Sequence, residues 1–449
     1  MSGSASPRAL SNWQRFAYSV GNFGVGLLPS IAGSWAMYYY APPVEEGSCL
    51  MAFVPMSLIG LMLGAGRVAE ALLNPFIGDW SDKTRSRWGR RMPYIRFGTP
   101  LLVLAAIMIW FPPIKGESYL NAAWVCFWMC IMSMSFAAVV APYLSLLPEL
   151  TPHNDERLTV SAWMAVFEIL GTLVATAGAG FLIDAYKCGV PPFGAQEFNG
   201  FQLAGIVFGL VSLAAFLITG FVIKEKEHSA AKEVTLPFMT GVREVWKNKA
   251  FFPYLGLVTT FRIGIDTVVV AIPYMVSVVM GGTEGDAVFV QLEVILGSIL
   301  LFPVVNWLSV KYGKKLITLI GCVCFVVLLP LMMTIGMVPG ISPMLYGYLV
   351  FALAIPPIAV FNVTPRPLIA DIIDADEKVT GFRREAIYNG MEGLFSRSAS
   401  GFAWVLCSLL FAFFGNTPEN HLGILIVGPV GGFFVLIGSL LFRKYPIKD

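Results

Sequence analysis

Stretches of about twenty apolar residues recur from one end of the chain to the other, and no other feature constrains the fold as strongly. A helix needs about 20 largely apolar residues to cross the hydrocarbon core of a bilayer. Twelve runs meet that length: residues 14–40, 51–78, 97–112, 121–148, 158–184, 200–223, 251–280, 288–309, 316–338, 345–370, 385–414 and 422–442. A soluble helical core is excluded, because twelve such runs leave almost no polar face to meet water. Composition agrees: the 449 residues are 57% hydrophobic and 13% charged, about half the roughly 25% charge of a water-soluble domain. Prolines inside the runs, among them Pro29, Pro75, Pro303 and Pro330, are tolerated in membrane helices as kinks. The expected architecture is an all-α membrane protein with twelve transmembrane helices.

The 30 basic and 28 acidic residues give a formal charge of +2, which excludes the large electropositive face that nucleic-acid binding needs. With the N-terminus inside, 25 of the 30 Lys and Arg fall in cytoplasmic segments. Lys115 and Lys187 fall in outer loops, and Arg67, Arg262 and Arg397 lie within runs. That asymmetry predicts that both termini are cytoplasmic. The polar first dozen residues are not expected to form a cleavable signal peptide. His153, His228 and His421 have no second His or Cys at ligand spacing, so neither a metal site nor an enzymatic triad is expected. Of the seven cysteines, Cys49 and Cys188 fall in predicted outer loops; the sequence leaves open whether they form a disulfide.

An internal repeat divides the chain. Trp88-Gly89-Arg90-Arg91 follows the second run, and Tyr312-Gly313-Lys314-Lys315 follows the eighth, 224 positions later. A tight basic turn at the same place in each half points to two parallel repeats, the plan of transporters whose halves rock about a site near the midplane. The expected organisation is an N-terminal six-helix bundle over 1–223, a charged cytoplasmic linker over 224–250 and a C-terminal bundle over 251–449.

Ionisable groups at membrane depth are costly, and by default they face a cavity, a partner or a pathway. They are Arg67, Glu70, Glu168, Arg262, Asp266, Glu293, Glu392 and Arg397. Arg67/Glu70 and Arg262/Asp266 are spaced three and four residues apart, so each pair shares one helix face.

Gly78-Asp79, Asp82 and Gly89-Arg90-Arg91 resemble the signature loop of the major facilitator superfamily. Thr84-Arg85-Ser86-Arg87-Trp88-Gly89 and Pro93 resemble its glycoside–pentoside–hexuronide:cation symporter branch, the melibiose permease type. Further matches are Met37-Tyr38-Tyr39-Tyr40, Gly200-Phe201-Gln202 and Ala370-Asp371-Ile372-Ile373-Asp374. The resemblance implies the major facilitator fold and alternating access. It places Glu70 on a family carboxylate used in cation binding and Asn74 on the second one, here an amide. Losing that charge favours a proton over sodium as the coupling ion, with no other cofactor.

The melibiose-type sugar positions fall on Gly26, Val140, Leu144 and near Met164, so most hooks for sugar hydroxyls are gone. Arg397 matches the family's basic residue of the eleventh span, which in the related lysophospholipid-transporting branch faces a headgroup. Glu168 and Glu392 have no counterpart in the family and are candidate replacement polar groups. Candidate substrate contacts are Trp35, Arg67, Glu168, Asp266, Asn362, Glu392 and Arg397. Asp79, Asp82, Arg90 and Arg91, with Asp371, Asp374 and Arg383 in the second half, are candidates for a conformational latch.

The function expected is secondary active symport, coupled to a proton or cation, of a small organic solute such as a sugar or glycoside. The chain is expected to act as a monomer in the bacterial inner membrane, in contact with lipid. Two alternatives stand beside it: movement of a lysolipid or other amphipathic molecule, and a non-transporting scaffold of the same fold.

Overall fold

The computed structural model describes residues 10–43, 49–151, 154–193, 198–223, 225, 245–381 and 384–447. Among them every regular element is a helix. Ten are long and apolar enough to cross a membrane, and they fall on the second run and on the fourth to the twelfth. The other two runs form shorter or more polar helices. The first divides into Asn12–Ser19 and Gly21–Tyr40, the latter rich in glycine and tyrosine. The third forms Met92–Met108, only 17 residues long.

Local sequence sets where these helices begin. Asn199 caps Gly200–Val222, and its partner Gln202 closes a capping box. Thr283 and Asp286 do the same for Glu284–Tyr312. Ser342 caps Pro343–Val363, where Pro343 fills the first helical position, which has no need of an N–H. Side-chain oxygens there take up amide protons that would otherwise be orphaned at membrane depth. Burial follows the lipid rather than water. Only 28% of the apolar window of Glu284–Tyr312 is buried, and Leu300, Val304 and Val310 point outward. An apolar exterior of that extent is stable against hydrocarbon; the protein is an integral, multi-pass membrane protein.

The helices gather into two compact units. The first comprises Met1–Ala36 and Leu72–Ala231. Its core packs Tyr18, Met92, Ile95, Tyr143, Leu146 and Val160. Tyr18 and Tyr143 lock two helices together, each hydroxyl donating to the other's backbone carbonyl, at 2.6 and 2.7 Å. The second unit comprises Met37–Ala71 and Lys232–Asp449, so it includes the start of Met56–Lys83. Residues 224 and 226–244, most of the predicted linker, lie outside the described residues. Cys49 and Cys188 are each disulfide-bonded; Cys126, Cys130, Cys322, Cys324 and Cys407 are free thiols.

Candidate substrate and ion-coupling site

Within the second unit the first half of Met56–Lys83 lies against Glu385–Phe414, and glycines set how closely. A Cβ on Gly60 would come within 2.3 Å of the Trp404 carbonyl, and one on Gly64 within 2.7 Å of the Gly401 carbonyl. Such close approach is how membrane helices associate where no hydrophobic force acts between them. It also carries Glu70, one turn and a half beyond Gly64, to Arg397, one turn before Gly401.

Arg397 Nε donates to Glu70 Oε1 at 2.6 Å. Arg67 Nη1 donates to the other carboxylate oxygen at 3.4 Å. The carboxylate is enclosed, with a side chain 3% exposed, whereas Arg397 remains 37% exposed. Arg67 is held from behind, its guanidinium carbon 5.1 Å from the centroid of the Trp404 ring, a cation–π contact. Gly393 leaves room for the Arg397 guanidinium, since a Cβ there would lie 2.9 Å from Nη1. The acid therefore sits between two guanidinium groups, where the sequence shows only the Arg67 neighbour.

One turn along, Arg262 Nε shares its proton between Asp266 Oδ2 at 2.8 Å and Ser400 Oγ at 3.2 Å. The pair lies on one helix face, as its spacing requires, and Ser400 ties it to the helix that carries Arg397. Glu392, on the same helix, accepts from the Tyr254 hydroxyl at 3.1 Å. Asn362 is exposed. Two contacts have no signal in the sequence: Tyr38 donates to the buried Glu284 at 2.9 Å, and Tyr274 donates to the Ala41 carbonyl at 2.9 Å.

In the first unit Asn22 Nδ2 donates to Glu168 Oε2 at 3.0 Å and to the Met164 carbonyl at 3.1 Å. Gly26 and Gly171 bring these two helices to backbone contact. A Cβ on Gly26 would lie 2.1 Å from the Glu168 carbonyl oxygen, and one on Gly171 would lie 2.2 Å from that of Phe23. The position where melibiose-type members carry an acid thus has no space for any side chain here. Trp35 is fully buried, its ring edge-on to Phe201 at 6.4 Å. Asn74 lies in this unit, and its Nδ2 is buried without a hydrogen-bond partner among the described residues.

The basic loop of the first unit is tied to acids that the sequence does not single out. Arg90 and Arg91 both donate to Glu149 Oε1, at 2.7 and 2.8 Å. Glu225 takes the Arg91 backbone N–H at 2.9 Å and lies 3.6 Å from Arg90 Nε. The only local hint is a glutamate directly after Pro148, at the end of the fourth run. The side chains of Asp79 and Asp82, and Arg383 entirely, lie outside the described residues. In the second unit Asp371 pairs with Lys314, Asp376 pairs with Arg384 at 3.4 Å, and Asp374 is exposed.

A family model described as MFS/sugar transport protein matches residues 17–449. An uncharacterized symporter of Synechocystis sp. is 23% identical over all of this chain and 96% of its own length. The human sodium-dependent lysophosphatidylcholine symporter 1 is 25% identical, over 87% of this chain and 76% of its own. The isoprimeverose transporter of Lactiplantibacillus pentosus is 22% identical, over 91% and 81%. Among solved structures, a mutant form of the nucleoside transporter NupG aligns with a TM-score of 0.68 at 12% identity, covering 96% of this chain and 99% of that one. An inward-facing, occupied bacterial homologue of the lysosomal transporter Spinster aligns with a TM-score of 0.69 at 11% identity, covering 96% and 95%. These two likenesses establish the fold.

Proposed function

Since the chain belongs to the MFS/sugar transport family, we propose that it is a symporter in which Glu70 takes up the coupling ion and Arg397 answers to the substrate. That it is a secondary transporter of the major facilitator type, rather than an enzyme, follows from the family itself. The proposal adds the ion, the residues and the cargo. Its setting is the one the sequence implies: twelve spans in two six-helix bundles, both termini cytoplasmic, one chain acting alone in a bacterial inner membrane.

One observation carries the reading: an enclosed Glu70 carboxylate shared by Arg397 and Arg67. Taking two charges out of water is expensive, and such a pair holds only while both partners stay charged and close. A proton arriving on Glu70 removes its charge and frees Arg397, which is already partly exposed, to engage a polar or anionic group of the cargo. Loss of the cargo restores the pair and expels the proton. The ion and the cargo then depend on each other through one guanidinium, the reciprocity that coupled transport requires. The amide at Asn74 supports a proton over sodium, because a cation site there lacks a second carboxylate.

The test is accumulation in proteoliposomes under an imposed pH gradient, compared with a sodium gradient. Glu70→Gln, which keeps shape and removes charge, is expected to abolish the response to the gradient while leaving exchange of cargo. Gradient-driven accumulation that persists in Glu70→Gln removes the residue from the coupling.

A second reading of the cargo, a lysolipid or similar amphipathic molecule, is favoured by the Gly26–Gly171 crossing, which excludes the acid that sugar-binding members use. It predicts that labelled lysolipid binds the purified chain, that Arg397→Ala weakens this binding at least tenfold, about the 1.4 kcal/mol or more expected for a charge-assisted contact, and that glycosides do not compete. Competition by a glycoside returns the cargo to the sugar class. Absence of flux for either class points to the scaffold alternative.

A further inference from the structure

The second unit holds an open cavity of about 630 Å³ where Glu284–Tyr312 ends, Lys314–Leu328 begins and Pro343–Val363 meets Pro365–Thr380. This is the basic-turn end of the helices, remote in sequence from Glu70 and Arg397. Ser309, Lys311, Lys314 and Thr364 line it.

Two of its hydroxyls, those of Ser309 and Thr364, are buried and unpaired among the described residues. Ser298 and Thr318, on two of the helices that meet here, return their proton to a carbonyl one turn back, each at 2.7 Å. Ser309 and Thr364 are 7% and 1% exposed, yet among the described residues neither hydroxyl has a hydrogen-bond partner. A buried polar group left unpaired is costly, and two on one cavity wall point to an occupant.

The remaining groups give the occupant its charge. Two helices of 15 and 16 residues begin at this cavity, at Gly313 and at Thr364, and neither has a side-chain cap. The first presents the amide protons of Lys314, Lys315 and Leu316. The second presents that of Arg366 alone, because Pro365 and Pro367 have none. Lys311 packs on aromatic rings, with Nζ 4.9 Å from the Trp307 ring centroid and 5.0 Å from that of Tyr312. Lys314 is paired with Asp371. Uncapped helix starts, a lysine (Lys311) with no acid partner among the described residues, and hydroxyl donors together fit a tetrahedral oxyanion.

We propose that this cavity binds a phosphate group, drawn from a phospholipid headgroup or from a soluble phosphate, and that the occupant competes with Asp371 for Lys314. The site is separate from the transport site proposed above and stands or falls without it.

The test uses the full chain purified in a maltoside detergent. Inorganic phosphate is titrated by calorimetry, and short-chain phosphatidylglycerol is followed by native mass spectrometry. Lys311→Gln and Thr364→Val are each expected to weaken binding about tenfold, the size of one charge-assisted hydrogen bond. Asp371→Asn is expected to tighten it, because Lys314 is released, and a gain of affinity cannot come from misfolding. Binding of the lipid alone assigns the headgroup as occupant, and binding of inorganic phosphate alone assigns a soluble anion. The proposal is overturned if neither probe binds, or if the three variants bind like the parent chain.

Discussion

The two aromatic–glycine–basic–basic turns share a glycine of positive φ and differ in their electrostatics. Gly89 and Gly313 take φ of +106° and +93°, conformations in which an L side chain is strained. Around Gly89 both arginines are engaged by Glu149 and Glu225, and Arg91 also donates to the Ser145 carbonyl. Around Gly313 Lys314 pairs with Asp371, and among the described residues the neighbouring hydroxyls of Ser309 and Thr364 have no hydrogen-bond partner. The repeat therefore copies a turn and not its charge balance. One half uses the turn to bind its own helix ends together, while the other leaves two buried hydroxyls unpaired among the described residues.

The largest effect should come from emptying the closed turn. Glu149→Ala removes the oxygen that both arginines share and takes the carboxylate from Arg91, whose side chain is only 10% exposed. Breaking a buried pair on one side costs about 3–5 kcal/mol, so thermal unfolding of the purified chain should shift down accordingly. A loss below about 1 kcal/mol would mean that the Gly89 turn is as loosely held as its counterpart, and the contrast would fail.

Placing the same methyl on both turns sharpens the comparison. Gly89→Ala and Gly313→Ala each force an alanine into a sparsely populated backbone region, at about 1–3 kcal/mol. At Gly89 the new Cβ would also lie 2.2 Å from Glu225 Oε2, displacing the carboxylate that holds the Arg91 N–H. Gly89→Ala should therefore lower thermal stability more than Gly313→Ala. Equal losses would show that Glu225 yields without cost.

The residues differ in how far their roles can be read from the sequence, and the reason is distance along the chain. Apolar run length locates the helices, since lipid imposes it residue by residue. It is least informative for Gly21–Tyr40 and Met92–Met108, one diluted by tyrosine and glycine and the other short. The Arg67–Glu70 and Arg262–Asp266 pairs are visible because both partners lie on one helix at helical spacing. Arg397 on Glu70 is not, although each of the two residues stands out by itself. The contact spans 327 positions and depends on Gly60, Gly64 and Gly401 setting the distance between two helices. Glu149 and Glu225 escape for the same reason, as each is an unremarkable acid until packing places it beside Arg90 and Arg91. Gly26 reads in the sequence as a missing acid, and only the close crossing with Gly171 shows that no side chain fits there.

The smallest effect is expected at the open turn, and for that reason it discriminates best. Asp371→Asn breaks the pair with Lys314, as Glu149→Ala breaks the pairs of Arg90 and Arg91. Here, however, the two side chains are 28% and 31% exposed, and an ion pair so wet is worth about 0–1 kcal/mol. Thermal unfolding should hardly move, and added salt should change the variant and the parent chain alike, because a solvated pair is already largely screened. A loss approaching that of Glu149→Ala would mean that Lys314–Asp371 is a second closed lock. The lysine would then be committed to holding the fold, and the unpaired hydroxyls beside it would face a cavity with too little free charge to hold an anion.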